Sequence, residues 1–412
     1  MKVLYISQPK ELGGMSKSLL LMAEEIKTKH MEFNPVFFIS KGKFQNLLIK
    51  KGFNTYSTKW ISIFDNTRYG HYRGIRWFIL LREIVHLPLT LFKFYSIIKN
   101  EKLDIIHLND APLFIYAFFM KKIYKAKIIL HIRSVQNITE NIRKKVFAHI
   151  CNKYVDKIIC IDKRVKESIN YINTDKVDVI YNGLKKPENI NTLNFSKKRE
   201  NFVVGFVGIL YKAKGIYELL EAIKYLVIEK GYKDLIIYIA GKNTRDIKNK
   251  LIKYLLKLAN YYDDAVSDIE TFIKNYHLDD NIKYLGFLNE EELAKFYQEI
   301  DVLCFPSRLD AIGRPVFEAA FYGKPSIAAV SGDYNEIIIN NVSGIIIEKP
   351  EIYKIAESIE HLYQNRDLTF KMGKEAQNIA MEYFDIEKKA QQIFRIYQSL
   401  INLNLYQLHR RQ

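Results

Sequence analysis

Two carboxylates eight positions apart, Asp310 and Glu318, flank a segment reading Ile312-Gly-Arg-Pro315. Pro315 after Gly313 and Arg314 predicts the first residue of a helix, which Gly323 then stops. A helix start of this kind offers free N–H groups and the positive end of a dipole, and glycine lets a ligand approach the backbone closely. The chemistry it suits is the holding of an anion. Taken singly, each acid has an ordinary use: Glu318 complements the helix dipole and Asp310 is a solvated loop residue. The functional reading rests on their conjunction with segments elsewhere in the chain.

Those segments require an open parallel sheet to position them. Lys2–Ser7 is a short β-rich run, and the turn Gly13-Gly14 opens a helix that Ser16 is expected to cap. Further strands are predicted at 35–39, 55–57, 104–107 and 126–131, the last two closing on His107 and His131. Strand, helix, strand, with polar residues at strand ends, is how a parallel sheet presents a site. Arg133 could offer a cation to phosphate at the same place. Residues 154–161 and 176–183 complete a first half, and the polar, patternless stretch 186–200 reads as a linker. A second series of strands and helices begins at Phe202. From about 353 onward the chain is expected to be helical, with an apolar face along 386–403.

Taken in chain order, these pieces resemble the retaining glycosyltransferases of family 4, also called glycosyltransferase group 1. The resemblance is densest over 281–347. There the acid pair is followed by Gly323-Lys-Pro325 and by Gly332-Asp-Tyr-Asn-Glu336. The family pattern has a glutamate where Asp310 stands, so this chain is one methylene short. Ile209-Leu-Tyr-Lys-Ala-Lys214-Gly215 resembles the family's phosphate loop, with Lys214 at the lysine of the diphosphate clamp and Ile209 in place of its arginine. Lys212, Arg308 or Arg314 could supply the missing charge.

The resemblance implies an α/β chain of GT-B type: two Rossmann-like domains facing a central cleft, with a C-terminal helix crossing back to the N-terminal domain. The expected division is an acceptor-binding domain over 1–185 with the helix at about 386–412, the linker at 186–200, and a nucleotide-sugar-binding domain over 201–385. The implied activity is hexosyl transfer, metal-independent, from a nucleotide-diphosphate sugar to a glycan or lipid-linked glycan, in bacterial surface polysaccharide synthesis. The implied catalytic residues are His131, Asp310 and Lys214. Gly13, Gly14, Lys214, Arg308, Asp310, Ile312, Gly313, Arg314 and Glu318 are implied to bind the donor. No cofactor is expected, because no acid cluster for a divalent ion is seen and the diphosphate would be met by cations and helix dipoles. A sugar-nucleotide epimerase, a phosphorylase or a non-catalytic scaffold of the same fold are the alternatives, the last suggested by Ile209 and Asp310.

At 412 residues the chain is long enough for more than one core. Cys151, Cys160 and Cys304 have no metal-type spacing and lie in or beside apolar stretches, which argues for a reducing compartment. No secretory signal is read at the N-terminus, so a cytoplasmic placement is expected. The net charge of +17 is concentrated in part between residues 41 and 99, where eleven cations meet only Asp65 and Glu83 and mix with Trp60, Trp77, Phe78, Phe92 and Phe94. Such a segment fits peripheral contact with the inner face of an anionic membrane, and equally an ordinary solvated surface. No zinc-finger, helix-turn-helix or RNP-like pattern points to nucleic acid.

Overall fold

The computed structural model describes residues 1–67, 77–124, 126–187, 200–243, 264–309, 312–330 and 338–409, with 403–409 through their backbone alone. Contacts divide the chain into two units, Met1–Lys185 with Phe384–Gln412, and Lys186–Tyr383.

In the first unit, strands β1 (Lys2–Ser7), β2 (Asn34–Ser40), β3 (Asn54–Thr58), β4 (Ile105–Leu108), β5 (Lys127–Ile132), β6 (Lys157–Cys160) and β7 (Val177–Val179) alternate with helices. These are α1 (Gly14–Lys29), α2 (Lys43–Lys50), α3 (Trp77–Asn100), α4 (Ile115–Ile123), α5 (Ile142–Tyr154) and α6 (Lys163–Glu167). The second unit holds β8 (Phe202–Leu210), β9 (Leu235–Asn243), β10 (Ile282–Gly286), β11 (Val302–Phe305), β12 (Ser326–Ala329) and β13 (Gly344–Ile347). Its helices are α7 (Ile216–Lys224), α8 (Ala265–Tyr276), α9 (Glu290–Glu299), α10 (Arg314–Phe321), α11 (Ile352–Gln364) and α12 (Arg366–Tyr383). The last helix, α13 (Ile386–His409), returns to the first unit.

Both sheets are parallel throughout, in the orders β3-β2-β1-β4-β5-β6-β7 and β10-β9-β8-β11-β12-β13. Strand order reverses between β1 and β4 in one and between β8 and β11 in the other. These are the switch points at which the loops leaving adjacent strands diverge and leave a crevice for a ligand. Apolar runs such as Val3-Leu-Tyr-Ile6 suit strands covered on both faces. In β1, Leu4 and Ile6 pack with α4 and α5, whereas Val3 and Tyr5 pack with α1 and α13. Alternation carries the same division into β4 and β5, so His107 and His131 share the α13 side with Ile105 and Ile129. On α13 the buried residues Ile386, Ala390, Ile393, Phe394, Tyr397 and Leu400 keep helical spacing and cover that face. His30 stacks on Phe394 with ring centroids 3.7 Å apart, and Lys29 pairs with Glu387 at 2.8 Å.

The expected cap of the first helix is corrected. The cap of α1 is Gly13, and the Ser16 hydroxyl instead donates to the Glu11 carbonyl at 3.0 Å. The Gly332-Asp-Tyr-Asn-Glu336 turn and most of the linker lie outside the described residues. Among the described residues no helix is long and apolar enough to cross a membrane.

Candidate active site

In the second unit, two loops leave neighbouring strands at the switch point. After β8 the chain makes a 3-10 turn, Lys212–Lys214, and enters α7 through Gly215. After β11 it runs from Pro306 to Gly313, which caps α10. Gly215 sits at φ +75°, and a Cβ there would lie 1.8 Å from the Pro306 carbonyl oxygen, so only glycine lets the loops touch. The Arg308 amide donates to the Ala213 carbonyl at 2.9 Å, and the Arg308 guanidinium pairs with Glu218 on α7. The loops are thereby joined along their length.

Lys214 lies in this join with its Nζ 5.0 Å from the centre of the Phe305 ring. It pairs with no carboxylate among the described residues, and burial pulls its pKa below the ordinary lysine value. A half-buried ammonium without an anion gains most from one that arrives. The α10 start beside it has no side-chain cap, and Pro315 falls in its first turn. Helix α10 begins at Arg314, one residue before the position read from the sequence.

Glu318 stands one turn into α10. Its Oε1 accepts from Arg314 Nε at 2.6 Å and its Oε2 from Tyr297 Oη at 2.8 Å. Each carboxylate oxygen has a second lone-pair site, so the group is fixed in place and can still accept from hydroxyls. Arg314 Nη1 is buried without a partner among the described residues. Arg308 and Arg314 thus each carry a carboxylate partner, and neither is an uncommitted substitute for the arginine that Ile209 replaces. Ile209 itself is half exposed near the end of β8. Asp310 lies outside the described residues; Ile312 and Gly313 follow it into α10. A Cβ on Gly313 would meet the Phe305 ring at 2.3 Å, which explains a glycine at this cap.

In the first unit the α1 start at Gly13 and Gly14 follows β1, and both glycines have open space where a Cβ would project. His131 is near the end of β5 and buried. Burial, then the charge of Arg133, then His107 hold its imidazole well below the usual histidine range, so it is neutral. Its Nδ1 lies 3.3 Å from His107 Nε2 and 3.4 Å from Arg133 Nη2, and its Nε2 is buried without a partner among the described residues. His107 Nδ1 in turn lies 2.7 Å from Tyr397 Oη on α13.

Arg133 differs from the sequence expectation. Its Nε and Nη2 donate to Asn109 Oδ1 and its Nη1 to Asn182 Oδ1 at 2.6 Å. The guanidinium is an internal brace between the loops after β4, β5 and β7, and burial lowers its pKa to about 10. Sequence reasoning also missed Glu218, Tyr297, Asn109, Asn182 and Tyr397 as supports. Only His107 left a signal, as a polar residue closing an apolar strand.

A family model described as glycosyl transferases group 1 matches residues 188–379, and one described as Glycosyltransferase Family 4 matches 13–185. An uncharacterized glycosyltransferase of Methanocaldococcus jannaschii is 27% identical over 308 residues, spanning 74% of this chain and 78% of its own. The UDP-Gal:alpha-D-GlcNAc-diphosphoundecaprenol alpha-1,3-galactosyltransferase of Escherichia coli is 22% identical over 76% of this chain and 79% of its own. Among solved structures, Anabaena Alr3699/HepE in complex with UDP matches with a TM-score of 0.72 at 20% identity, over 97% of this chain and 100% of its own. The UDP-glucose complex of that protein matches at 0.66 with the same identity and coverage. The likeness to these structures is one of fold.

Proposed function

This chain belongs to glycosyltransferase family 4, whose members are retaining enzymes of GT-B fold, and on that premise we propose that it transfers a hexose from a UDP-sugar to a hydroxyl of a glycan or lipid-linked glycan. The observation that carries the donor assignment is the joining of the Lys214 turn and the Gly313 helix start at the switch point of the second sheet. In this reading Lys214 and the N–H groups of Ile312, Gly313 and Arg314 take the diphosphate. They meet the negative charge that builds on it as the sugar leaves. Arg308 holds the two loops together, and Glu318 accepts from the ribose hydroxyls. Asp310 is assigned to sugar hydroxyls. The acceptor is assigned to the first unit, with Gly13 and Gly14 at the α1 start and His131 as a ligand-facing group. UDP as the nucleotide is supported by the donors named for the Escherichia coli and Anabaena proteins. A surface-polysaccharide setting is supported by the lipid-linked acceptor in the name of the former.

Peripheral membrane contact through α3 belongs to the same proposal. This 24-residue helix buries Phe94, Ile97 and Ile98 yet leaves Trp77, Phe78, Leu81, Val85, Leu89 and Phe92 largely exposed at helical spacing. Arg82, Lys93 and Lys99 lie on the same helix. An exposed apolar stripe with cations is the pattern of a helix lying in a membrane interface.

The test is a panel of UDP-sugars, each incubated with and without GlcNAc-diphosphoundecaprenol as acceptor. Acceptor-dependent UDP release, with the product anomer matching the donor, is expected. Conversion of a UDP-sugar without acceptor would make the protein an epimerase. UDP binding without transfer to any acceptor would make it a scaffold.

A further inference from the structure

The polar groups around His131 have one arrangement of protons that gives every close contact among them a donor and an acceptor. Arg133 has only donors, so its Nη2, 3.4 Å from His131 Nδ1, requires that nitrogen to carry the lone pair. His107 Nε2, 3.3 Å from the same nitrogen, must then also be an N–H. A neutral His107 protonated at Nε2 has its lone pair on Nδ1, and Tyr397 Oη, 2.7 Å away, donates to it. Tyr397 Oη is left to accept from Tyr5 Oη at 3.0 Å. The chain of donors runs from Tyr5 through Tyr397 and His107 to His131 and ends there. The proton of His131 therefore sits on Nε2, the atom that is buried and has no partner among the described residues.

Register builds this line. Tyr5 stands opposite His107 in the β1–β4 pairing, and His107 stands opposite Ile129, two residues before His131, in the β4–β5 pairing. Tyr397 comes from α13, so the last helix of the chain holds the His107 donor that faces a strand residue some 260 positions earlier.

We propose that Arg133 and His107, the latter held by Tyr397, are positioning residues that lock His131 as the Nε2–H tautomer, so that His131 meets its ligand only as a hydrogen-bond donor to a sugar or acceptor oxygen and does not act as a base. The inference rests on reading His131 as a ligand-facing group. It assigns the proton movement of glycosyl transfer to other atoms: as the bond from sugar C1 to the diphosphate oxygen breaks and the bond from C1 to the acceptor oxygen forms, the acceptor proton passes to the leaving diphosphate and not to His131, whose one lone pair is already taken by two donors.

The ring nitrogens of His131 can be read directly by NMR of protein carrying 15N-histidine, with the His131 signals identified by their loss in His131→Asn. At neutral pH the expected spectrum shows Nδ1 unprotonated and Nε2 protonated, in the protein alone and with UDP. An Nδ1–H tautomer or an imidazolium would overturn the proposal. In the double variant Arg133→Leu, His107→Leu both donors to Nδ1 are removed, and the His131 signals should move toward an average of tautomers, whereas His107→Leu alone keeps the Arg133 donor and should move them little. His107→Gln, which keeps an N–H near the Nε2 position, should retain the wild-type signals. Unchanged His131 signals in the double variant would overturn the positioning role. With the UDP-sugar accepted in the panel, the double variant should lower kcat about tenfold while leaving UDP affinity unchanged, and His107→Gln should retain most of the wild-type kcat. Equal losses of kcat and UDP affinity would indicate general damage and count against the proposal. If a variant fails to fold, the wild-type spectrum alone decides. Absence of transfer with every donor would sink the functional reading while the tautomer result still stood or fell on its own.

Discussion

At the scale of single residues, the proposed donor site separates groups that would bear the ligand from groups that hold them. Lys214 has no carboxylate partner among the described residues, whereas Arg308 and Arg314 are each tied to one. Lys214→Ala should therefore weaken UDP binding, and Arg308→Ala should act only through the geometry of the loops. Glu318 should behave as a ribose acceptor held in place by Arg314 and Tyr297. Removing a charged hydrogen-bond partner is worth about 2 kcal/mol, so Glu318→Ala should cost roughly thirtyfold in kcat/KM. Tyr297→Phe removes a support and should cost less. Steady-state kinetics with the accepted UDP-sugar checks both, and an unchanged kcat/KM in Glu318→Ala would remove that residue from the site. Much of the proposed site was legible in advance, because Lys214, Gly313 and Glu318 lie in short segments whose order along the chain is informative. What Lys214 lacks and what Arg314 already has were not legible, since both depend on which loops meet in space.

At the scale of elements, β4, β5 and α13 bury two imidazoles that must stay neutral. Burial pushes His107 down to about 3 and His131 well below its ordinary value, while an unfolded histidine titrates near 6.5. Below about 6.5 the unfolded chain thus binds more protons than the native one, and stability from these groups falls as pH falls. Asp110, raised by burial to about 6, acts with the opposite sign. Between about 4 and 6 the native state holds its extra proton, and stability from Asp110 rises as pH falls. Two histidines outweigh one aspartate. His107→Gln should flatten the loss of stability between pH 6.5 and 4.5, and Asp110→Asn should steepen it below pH 6. Denaturant unfolding at several pH values measures both, and an unaltered slope in His107→Gln would contradict a buried neutral imidazole. The strands themselves were readable from their apolar runs, and the helical spacing of α13 was readable too. That Tyr397 would meet His107, 290 residues away, was not, because it depends on which face of the sheet the helix covers. Ser16 misled as a cap because serine near a glycine turn is a common helix start, and here the backbone turns at Gly13.

At the scale of the whole molecule, the sequence marks two α/β series, and the structure gives each its own parallel sheet and core. The cationic excess also has a local counterpart in the exposed apolar stripe of α3. The protein should cosediment with vesicles containing phosphatidylglycerol more than with phosphatidylcholine alone, and less as salt rises. Replacing Phe78, Leu89 and Phe92 together by glutamate should abolish cosedimentation and leave UDP affinity unchanged. Retained binding by that variant, or a concentration-dependent dimer that hides α3 from vesicles, would contradict the membrane reading. The central claim concerns the donor, and a crystal structure of the protein with UDP tests it most directly. The diphosphate is predicted within hydrogen-bond reach, about 3 Å, of Lys214 Nζ and of the N–H groups at the Gly313 end of α10, with the ribose on Glu318. A nucleotide bound away from both the Lys214 turn and the start of α10 would contradict it.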